Sequence, residues 1–405
     1  MKPGIKDLKQ IVGFLLVTIV ASSVFAQDKL HCPMIRNSQR PALLFFQGPA
    51  DKRELCVAYF DGKTAHNEKI LFAKHLLVTQ LDNAIFLVAA QRSSAKGSVY
   101  VMDLGKGIVK MIAKSTRISC LRAEPQRKTA MLMDSNMGEG VIHLLELDLI
   151  DLTVTRRQTL KTESLPGLTG TLDKSLRLSS NFKHIVYAFR AGHKVPELSS
   201  VFTLRSLDLS TMKVEDLVSN VGVEISQFSS IGLGVPPFEW INDDEIVFND
   251  MPSDERDDIT NALSIFKRVN IRTKGISECL RKRLPLTLDG VFLRKNPLTE
   301  QLIYDKEYIL DLEKKRLIPK ITPFAVVPGF HAKPTKILHG QIVLFSGVSS
   351  CVSNCISPSG NNFAYSLRPK PRSLDEELYA KIQGLPEPIK VADGPSWTRA
   401  IGWIE

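Results

Sequence analysis

Two cysteines four residues apart, Cys351 and Cys355, form the most specific short motif in the chain. Thiolates so close together could act as a redox pair or as ligands for Cu(I), which soft sulfur ligands favour. However, no His stands within ten residues on either side, and redox pairs usually have two residues between the cysteines. We therefore predict a structural Cys351–Cys355 disulfide. Metal binding, redox use and free or differently paired thiols are the alternatives.

The chain has six cysteines, an even number that permits disulfides in an oxidising compartment. The spacing alone does not dictate how they pair. Cys32 and Cys56 fall within the first repeat described below, and we predict a second disulfide between them. Cys120 and Cys279 fall in repeats that should not touch, so we expect both thiols to be reduced.

An acidic stretch, residues 250–258, has carboxylates that could belong to a calcium loop, but it lacks the Gly that such loops need for their sharp turn. We interpret it as a solvated insertion between two strands. The His residues show neither H-E-x-x-H nor H-x-H spacing, which favours surface and strand-end positions over metal ligation. They are His31, His66, His75, His143, His184, His193, His331 and His339.

The G-x-S-x-G motif of a hydrolase nucleophile does not occur; residues 347–351 come nearest, but their last position is Cys351. Triads are recognised by geometry, so sequence alone does not exclude a Ser/His/Asp site. A peptidase that carries a propeller would also need an appended hydrolase domain of about 200 residues, for which we find no room. We therefore predict no catalytic, cofactor-binding or metal-binding residues, and no enzyme activity.

The first 26 residues have the three parts of a cleavable secretion signal. Lys2, Lys6 and Lys9 give a positive start, residues 11–20 are an uncharged apolar core, and residues 24–26 (Val-Phe-Ala) fit signal peptidase. The apolar core is shorter than the roughly 20 residues of a membrane-spanning helix, although a retained membrane anchor is an alternative. We predict cleavage near Ala26, a mature domain over residues 27–405, and a periplasmic or secreted location.

The net charge of the whole chain is +10, and the signal carries three Lys and one Asp, so the mature chain is near +8. This charge is compatible with an anionic cell-envelope component as partner, or simply with a soluble basic surface. There is no run of five basic residues and no interleaved aromatic stripe. We therefore expect no nucleic-acid partner, and no integral membrane segment after cleavage.

A strand-and-turn pattern recurs along the chain and indicates the fold. Short strands with alternating apolar and polar residues end in Asp or Asn followed by an apolar residue, and the acid or amide can bond its own backbone and turn the chain. The copies are residues 100–104, 145–149, 204–209, 266–271 and 308–312. A strand rich in β-branched and aromatic residues precedes each copy. Taking Leu44, Phe86, Leu132, Val186, Val247, Ile303 and Ala364 as equivalent gives steps of 42 to 61 residues.

Strand-only repeats of about 40 to 50 residues are typical of β-propeller blades, and the longer steps leave room for loop insertions. Helical periodicity is nearly absent, with residues 375–382 as the one tempting stretch. The last segment, from Trp397 to Ile404, reads as a spare strand, and Trp397 and Trp403 would pack between blades or form an exposed ligand platform. We predict an all-β, single propeller of seven blades, with six as the alternative. Its ring would be closed by this C-terminal strand, which removes exposed sheet edges.

Three repeats resemble those of TolB-type, WD40-like propellers. Residues 178–187 (LSSNFKHIVY) and 356–365 (ISPSGNNFAY) are similar to L-S-P-D-G-K-x-I-x-Y, and residues 238–248 (FEWINDDEIVF) to W-x-x-D-D-x-I-x-F. The other repeats depart from this pattern. The repeat marks a fold and carries no catalytic residues. An amino-terminal α/β domain like that of TolB is not expected, because strand-like sequence begins by Leu43.

The function that follows is a TolB-like, non-catalytic module that binds an unidentified protein or an anionic envelope component. The alternative from another class is a propeller enzyme, a polysaccharide lyase or hydrolase, with its site in the central channel. Such enzymes line the channel with His, Arg and carboxylates. We expect the inner strands here to be mostly apolar or Ser-rich, which disfavours that alternative.

Overall fold

The chain is all-β in the computed structural model, apart from three single-turn 3-10 helices at Asn37–Gln39, Pro125–Arg127 and Thr162–Ser164 within the described part. The described residues are 31–49, 52–91, 97–115, 118–136, 140–165, 176–189, 199–224, 237–250, 262–284, 293–296, 300–304, 308–319, 324–327, 335–339, 342–347, 351–368, 375–395 and 398–405. Within them, no helix is long and apolar enough to cross a membrane. The predicted signal, residues 1–26, lies outside these ranges.

Seven antiparallel sheets of four strands and one of three make up the described structure. We number the four-stranded sheets as blades 1 to 7 in chain order. Blade 1 has β1 (Ala42–Gln47), β2 (Arg53–Phe60) and β3 (Ala65–Ala73), and its fourth strand comes from the end of the chain. Blade 2 has β4 (His75–Gln80), β5 (Ile85–Gln91), β6 (Ser98–Asp103) and β7 (Ile108–Ala113). Blade 3 has β8 (Ile118–Glu124), β9 (Thr129–Asn136), β10 (Val141–Asp148) and β11 (Thr153–Lys161).

The later sheets follow the same order. Blade 4 has β12 (Leu176–Leu178), β13 (His184–Phe189), β14 (Ser199–Asp208) and β15 (Val214–Glu224), and blade 5 has β16 (Phe238–Trp240), β17 (Glu245–Asp250), β18 (Ala262–Asn270) and β19 (Ile276–Leu284). Blade 6 has β20 (Leu293–Lys295), β21 (Leu302–Tyr304), β22 (Tyr308–Asp311) and β23 (Arg316–Pro319), and the three-stranded sheet that follows has β24 (Phe324–Val327), β25 (Thr335–His339) and β26 (Ile342–Gly347). Blade 7 has β27 (Cys351–Ile356), β28 (Phe363–Leu367), β29 (Asp375–Lys381) and β30 (Ile389–Pro395). The last strand, β31 (Arg399–Ile404), returns to pair with β1.

The seven positions taken as equivalent in the sequence all lie in the second strand of a four-stranded blade, which confirms the repeat and the seven blades. The predicted closure is also confirmed, because β31 is antiparallel to β1 with Ile404 opposite Ala42. The three-stranded sheet falls within the last 61-residue step, between Ile303 and Ala364. From the sequence we expected only loop insertions in the longer steps, and this sheet is an addition to that expectation.

Apolar clusters pack blade 7 against blade 1 and each of blades 1 to 5 against the next blade along the chain. Alternate side chains of one strand point to opposite faces of its sheet, so Leu43 and Phe45 contact blade 7 while Leu44 contacts blade 2. Further clusters join blades 2 and 3, 3 and 4, 4 and 5, and 5 and 6. The second strands are therefore buried on both faces, which explains their nearly continuous apolar sequence.

Neither predicted disulfide is present, because Cys32, Cys56 and Cys355 are all free thiols. Cys351 and Cys355 occupy one strand, β27. Four residues of extended chain span about 13 Å, well beyond the roughly 7 Å limit for the Cα atoms of a disulfide. Cys32 lies against blade 2, whereas Cys56 faces blade 7. Cys120 and Cys279 are free thiols in blades 3 and 5.

Candidate functional site

The innermost strands of blades 3 to 6 lie side by side along a central channel, as do those of blades 7, 1 and 2, and a cavity of about 170 Å³ opens among the innermost strands of blades 2 to 6. Its charged lining residues stand at the ends of these strands or in the turns that follow them. They are Arg122, Glu124, Arg177, Glu239, Lys295 and Glu300. The expectation of apolar or Ser-rich inner strands is wrong at this point of the channel.

Glu239 is the centre of this charged cluster. Its Oε1 lies 3.7 Å from Nη1 of Arg122 in blade 3, and its Oε2 lies 3.4 Å from Nε of Arg177 in blade 4. It also accepts hydrogen bonds from the backbone N–H of Trp240 at 2.8 Å and of Lys295 at 3.3 Å. One buried carboxylate in blade 5 therefore connects blades 3, 4 and 6.

The remaining charges of the channel also have partners. Arg122 forms an ion pair with Glu124 and donates a hydrogen bond to the Leu178 carbonyl at 3.0 Å. Lys295 Nζ lies 3.9 Å from Oε2 of Glu300. Each of the three carboxylates thus has a cation beside it, so none of them is an unpaired general base, and the pairs of Glu239 also join blades.

Cys120 is the one thiol of the channel lining among the described residues. Burial raises the pKa of its thiol to about 12. Since the thiolate is the reactive form of cysteine, this thiol is unreactive at neutral pH. The cavity therefore has the polarity of an enzyme site but, in its described lining, charges that neutralise each other.

A group of exposed apolar side chains lies on the outer rim, at and beside the turns between the third and fourth strands of blades 2 and 3. Met34, Ile108 and Ile150 are 53%, 40% and 59% exposed. Cys32 Sγ lies 3.3 Å from the Ile108 carbonyl, which fixes the segment of Met34 against blade 2. Lys106 Nζ donates to the Ile150 carbonyl at 3.1 Å, so the two turns are adjacent.

We call the surface formed by Met34, Lys106, Ile108, Lys110 and Ile150 the blade 2–3 rim. Lys110 donates to the Asp151 carbonyl, so it too spans the two blades. Apolar side chains exposed together and bordered by charged groups are the usual mark of an interaction surface.

The residues singled out in the sequence are dispersed in the structure. Trp403 is buried, stacks obliquely on Phe60 and donates to the Cys355 carbonyl at 3.2 Å, so it packs between blades. Trp397 and residues 251–258 lie outside the described ranges. No three His, Cys, Asp or Glu residues in the described part are grouped as metal ligands.

Sequence reasoning missed the charged residues of the channel, although a signal was present. In Leu176-Arg177-Leu178 and in Phe238-Glu239-Trp240, one charged residue stands between two apolar residues just before the turn. An inner strand alternates between its two faces, so this charge has to lie on the opposite face from its neighbours. Its recurrence at the same place in these two repeats was the available signal for the channel lining.

No family model matches the sequence, and no curated protein matches it significantly. Similar solved structures include TolB from Acinetobacter baumannii, at 13% identity over 90% of this chain and 82% of that one, with a TM-score of 0.34. The β-propeller domain of the Trilobed protease from Pyrococcus furiosus has 14% identity over 80% and 85% of the two chains, with a TM-score of 0.36.

An acylaminoacyl peptidase from Pyrococcus horikoshii has 12% identity over 80% of this chain, with a TM-score of 0.37. The match covers 47% of that peptidase, so this chain spans about half of its length. These similarities concern propeller domains of proteins with different functions and transfer no activity to this chain.

Proposed function

We propose that this chain is an exported propeller that acts in the periplasm as a non-catalytic module, binding a protein or an anionic component of the cell envelope. The observation that carries this proposal is the blade 2–3 rim, where three apolar side chains are exposed among lysines. The signal-like residues 1–26 support export, and the positive charge of the mature chain favours an anionic partner.

The competing proposal is an enzyme that acts on polysaccharide in the central channel. The position of Arg122, Arg177 and Glu239 favours the enzyme proposal, because these charged residues line a cavity that a substrate could enter. Their mutual pairing disfavours it, because Glu239 is already in contact with two arginines and two backbone N–H groups, which leaves little of its oxygen surface for a substrate proton. We therefore rank the binding module first.

Site-specific photo-cross-linking in the native host tests the proposal. A photoreactive residue at Ile108, on the rim, should give a discrete adduct with an envelope component. The control is Ile276, which is 50% exposed and also begins the outer strand of its blade, but in blade 5. Identical adducts at the two positions, or none at Ile108, would count against the rim as the binding surface.

Fractionation and amino-terminal sequencing of the same protein test export. We expect recovery from the periplasm with a first residue at or near Gln27. A protein that begins at Met1 and sediments with membranes would overturn the localisation.

A further inference from the structure

A groove of about 490 Å³ lies between blades 2 and 3, on the periphery of the ring and separate from the channel. One wall is the end of β7 and the residue after it, Lys114. The other wall is the face of blade 3 that looks towards blade 2. The lining residues are Ile112, Ala113, Lys114, Asp134, His143, Leu145, Arg157 and Thr159.

The register of blade 3 arranges its groove residues in two rows. Asp134, His143 and Thr159 are directly opposite one another on β9, β10 and β11, and His143 Nδ1 lies 3.0 Å from Thr159 Oγ1. Leu145 is opposite Arg157 in the neighbouring row. The groove therefore has a polar row beside a row in which an apolar Leu is opposite a cationic Arg, which suits a ligand with both aliphatic and acidic groups.

The charge of the groove is positive. Lys114 and Arg157 face it from opposite walls, and within the described part of the chain neither has an ion-pair partner. The carboxylate Asp134 accepts a hydrogen bond from Ser115 Oγ at 2.6 Å. Lys161 follows Thr159 by two residues on β11, so it extends the same cationic face.

The shape of the groove favours an extended chain over a flat surface. Its apolar floor, Ala113 and Leu145, lies between two sheets, where a planar membrane would not reach. The walls include β7 and β11, which are the outermost strands of their sheets. Such edges carry backbone groups that an added strand can pair with, while pockets beside them accept alternate side chains.

We propose that this groove binds an extended, acidic segment of a partner protein, with carboxylates towards Lys114 and Arg157 and aliphatic side chains towards Leu145. The inference rests on the proposed binding function and names the partner chemistry. It places the acidic segment and the blade 2–3 rim at opposite ends of β7, about 17 Å apart, because β7 begins at Ile108 on the rim and ends at the groove.

Fluorescence anisotropy with a labelled peptide of about eight residues, alternating Glu and Val, tests the proposal on the mature protein; this length matches a strand of the groove wall. We expect saturable binding that weakens with added salt. Arg157→Glu should raise the Kd by about tenfold, since it reverses a charge in contact with the ligand. The matched control is Arg156→Glu on the same strand, because Arg156 does not line the groove; we expect less than about a twofold change.

Equal Kd values for wild type and Arg157→Glu, no peptide binding, or equal binding of a Lys-Val peptide would overturn the proposal. Binding of phosphatidylglycerol vesicles that is lost in Arg157→Glu, without peptide binding, would assign the groove to lipid and overturn it as well. Unfolding curves of both variants should match the wild type, so that lost binding is not misfolding. If cross-linking at Ile108 succeeds while the peptide fails, the groove inference is wrong and the proposed function stands.

Discussion

Glu405 shows how one residue can connect three blades. It directly follows β31 of blade 1, and its main-chain oxygen accepts hydrogen bonds from Arg40 and from Asn83 of blade 2. Its carboxylate accepts hydrogen bonds from Ser359 N–H at 2.8 Å and from Asn362 Nδ2 at 2.9 Å, both in blade 7. Burial raises the pKa of this carboxyl, but hydrogen bonds from Ser357, Ser359 and Asn362 together outweigh it and hold the pKa below its usual value.

Glu405→Gln should therefore lower the melting temperature at neutral pH. A carboxyl whose pKa is lowered by folding stabilises the folded state above its unfolded pKa, and this contribution is lost as the pH falls through the folded pKa. The difference in melting temperature between variant and wild type should thus shrink as the pH is lowered below 4.5, the ordinary value for Glu. Thermal unfolding at a series of pH values measures it.

Glu387→Gln is the control for that series, because Glu387 is an exposed carboxylate in the same blade as Ser359 and Asn362. We expect it to melt with the wild type at every pH. A Glu405→Gln difference that stayed constant from neutral to acid pH would show that the charge of Glu405 does not stabilise the junction.

At the level of elements, the turns explain why the sequence predicts so much of the fold. Asp148 Oδ1 accepts hydrogen bonds from the N–H groups of Ile150 and Asp151 at 2.7 and 2.9 Å, and Asp208 and Asn270 act in the same way in blades 4 and 5. In the TolB-like repeats, Ser179 and Ser357 bond their own turns. These bonds are local, so residue type and spacing are enough to predict them.

Elements that depend on distant partners were predicted less well. Residues 375–382 have a helix-like pattern, but residues 375–381 form β29, because pairing with β28 and β30 buries Leu378 and Ala380 on one face. The two disulfide predictions were wrong for the same reason. The spacing of cysteines along the chain does not indicate which face of a sheet each thiol occupies. The channel charges and the groove arise only when blades meet.

The closing strand β31 should be essential for stability. It contributes Trp403 and Ile404, which are almost completely buried, and pairs with β1 from Arg399 to Ile404 with one bulge. Deletion of residues 395–405 should abolish cooperative unfolding or lower the melting temperature far more than loss of a frayed terminus would. Thermal unfolding of the truncated and full-length mature proteins measures this.

A point variant keeps that prediction testable if the truncated chain does not fold. Trp403→Ala should cost about 3–5 kcal/mol, as is usual for a fully buried aromatic residue. Leu77→Ala, in the inner strand of the neighbouring blade but 55% exposed, is the control and should cost much less. If the truncated protein melted within a degree or so of the full chain, β31 would not close the ring.

For the whole molecule, ring closure by β31 leaves the blades free to differ in their loops, while apolar clusters and the channel charges hold them in register. The inter-blade clusters are non-directional, so they hold the blades together without specifying which atoms must meet. The charged cluster around Glu239 is directional, since its oxygens meet specific atoms of blades 3, 4 and 6. We infer that this cluster sets the relative position of those blades, and that its role is architectural.

Substitution of Glu239 tests this role. Its side chain is 9% exposed, and Glu239→Gln would leave Arg122 and Arg177 buried without their shared carboxylate. Removing one partner of a buried ion pair costs about 3–5 kcal/mol, and we expect a loss of this size in the free energy of unfolding measured by chemical denaturation.

Glu300→Gln is the control in the same channel, because Glu300 is 47% exposed and lies 3.9 Å from Lys295. This substitution should cost less than about 1 kcal/mol. Equal stability of the two variants would show that Glu239 does not hold the blades, and would return the channel to consideration as a binding or catalytic site.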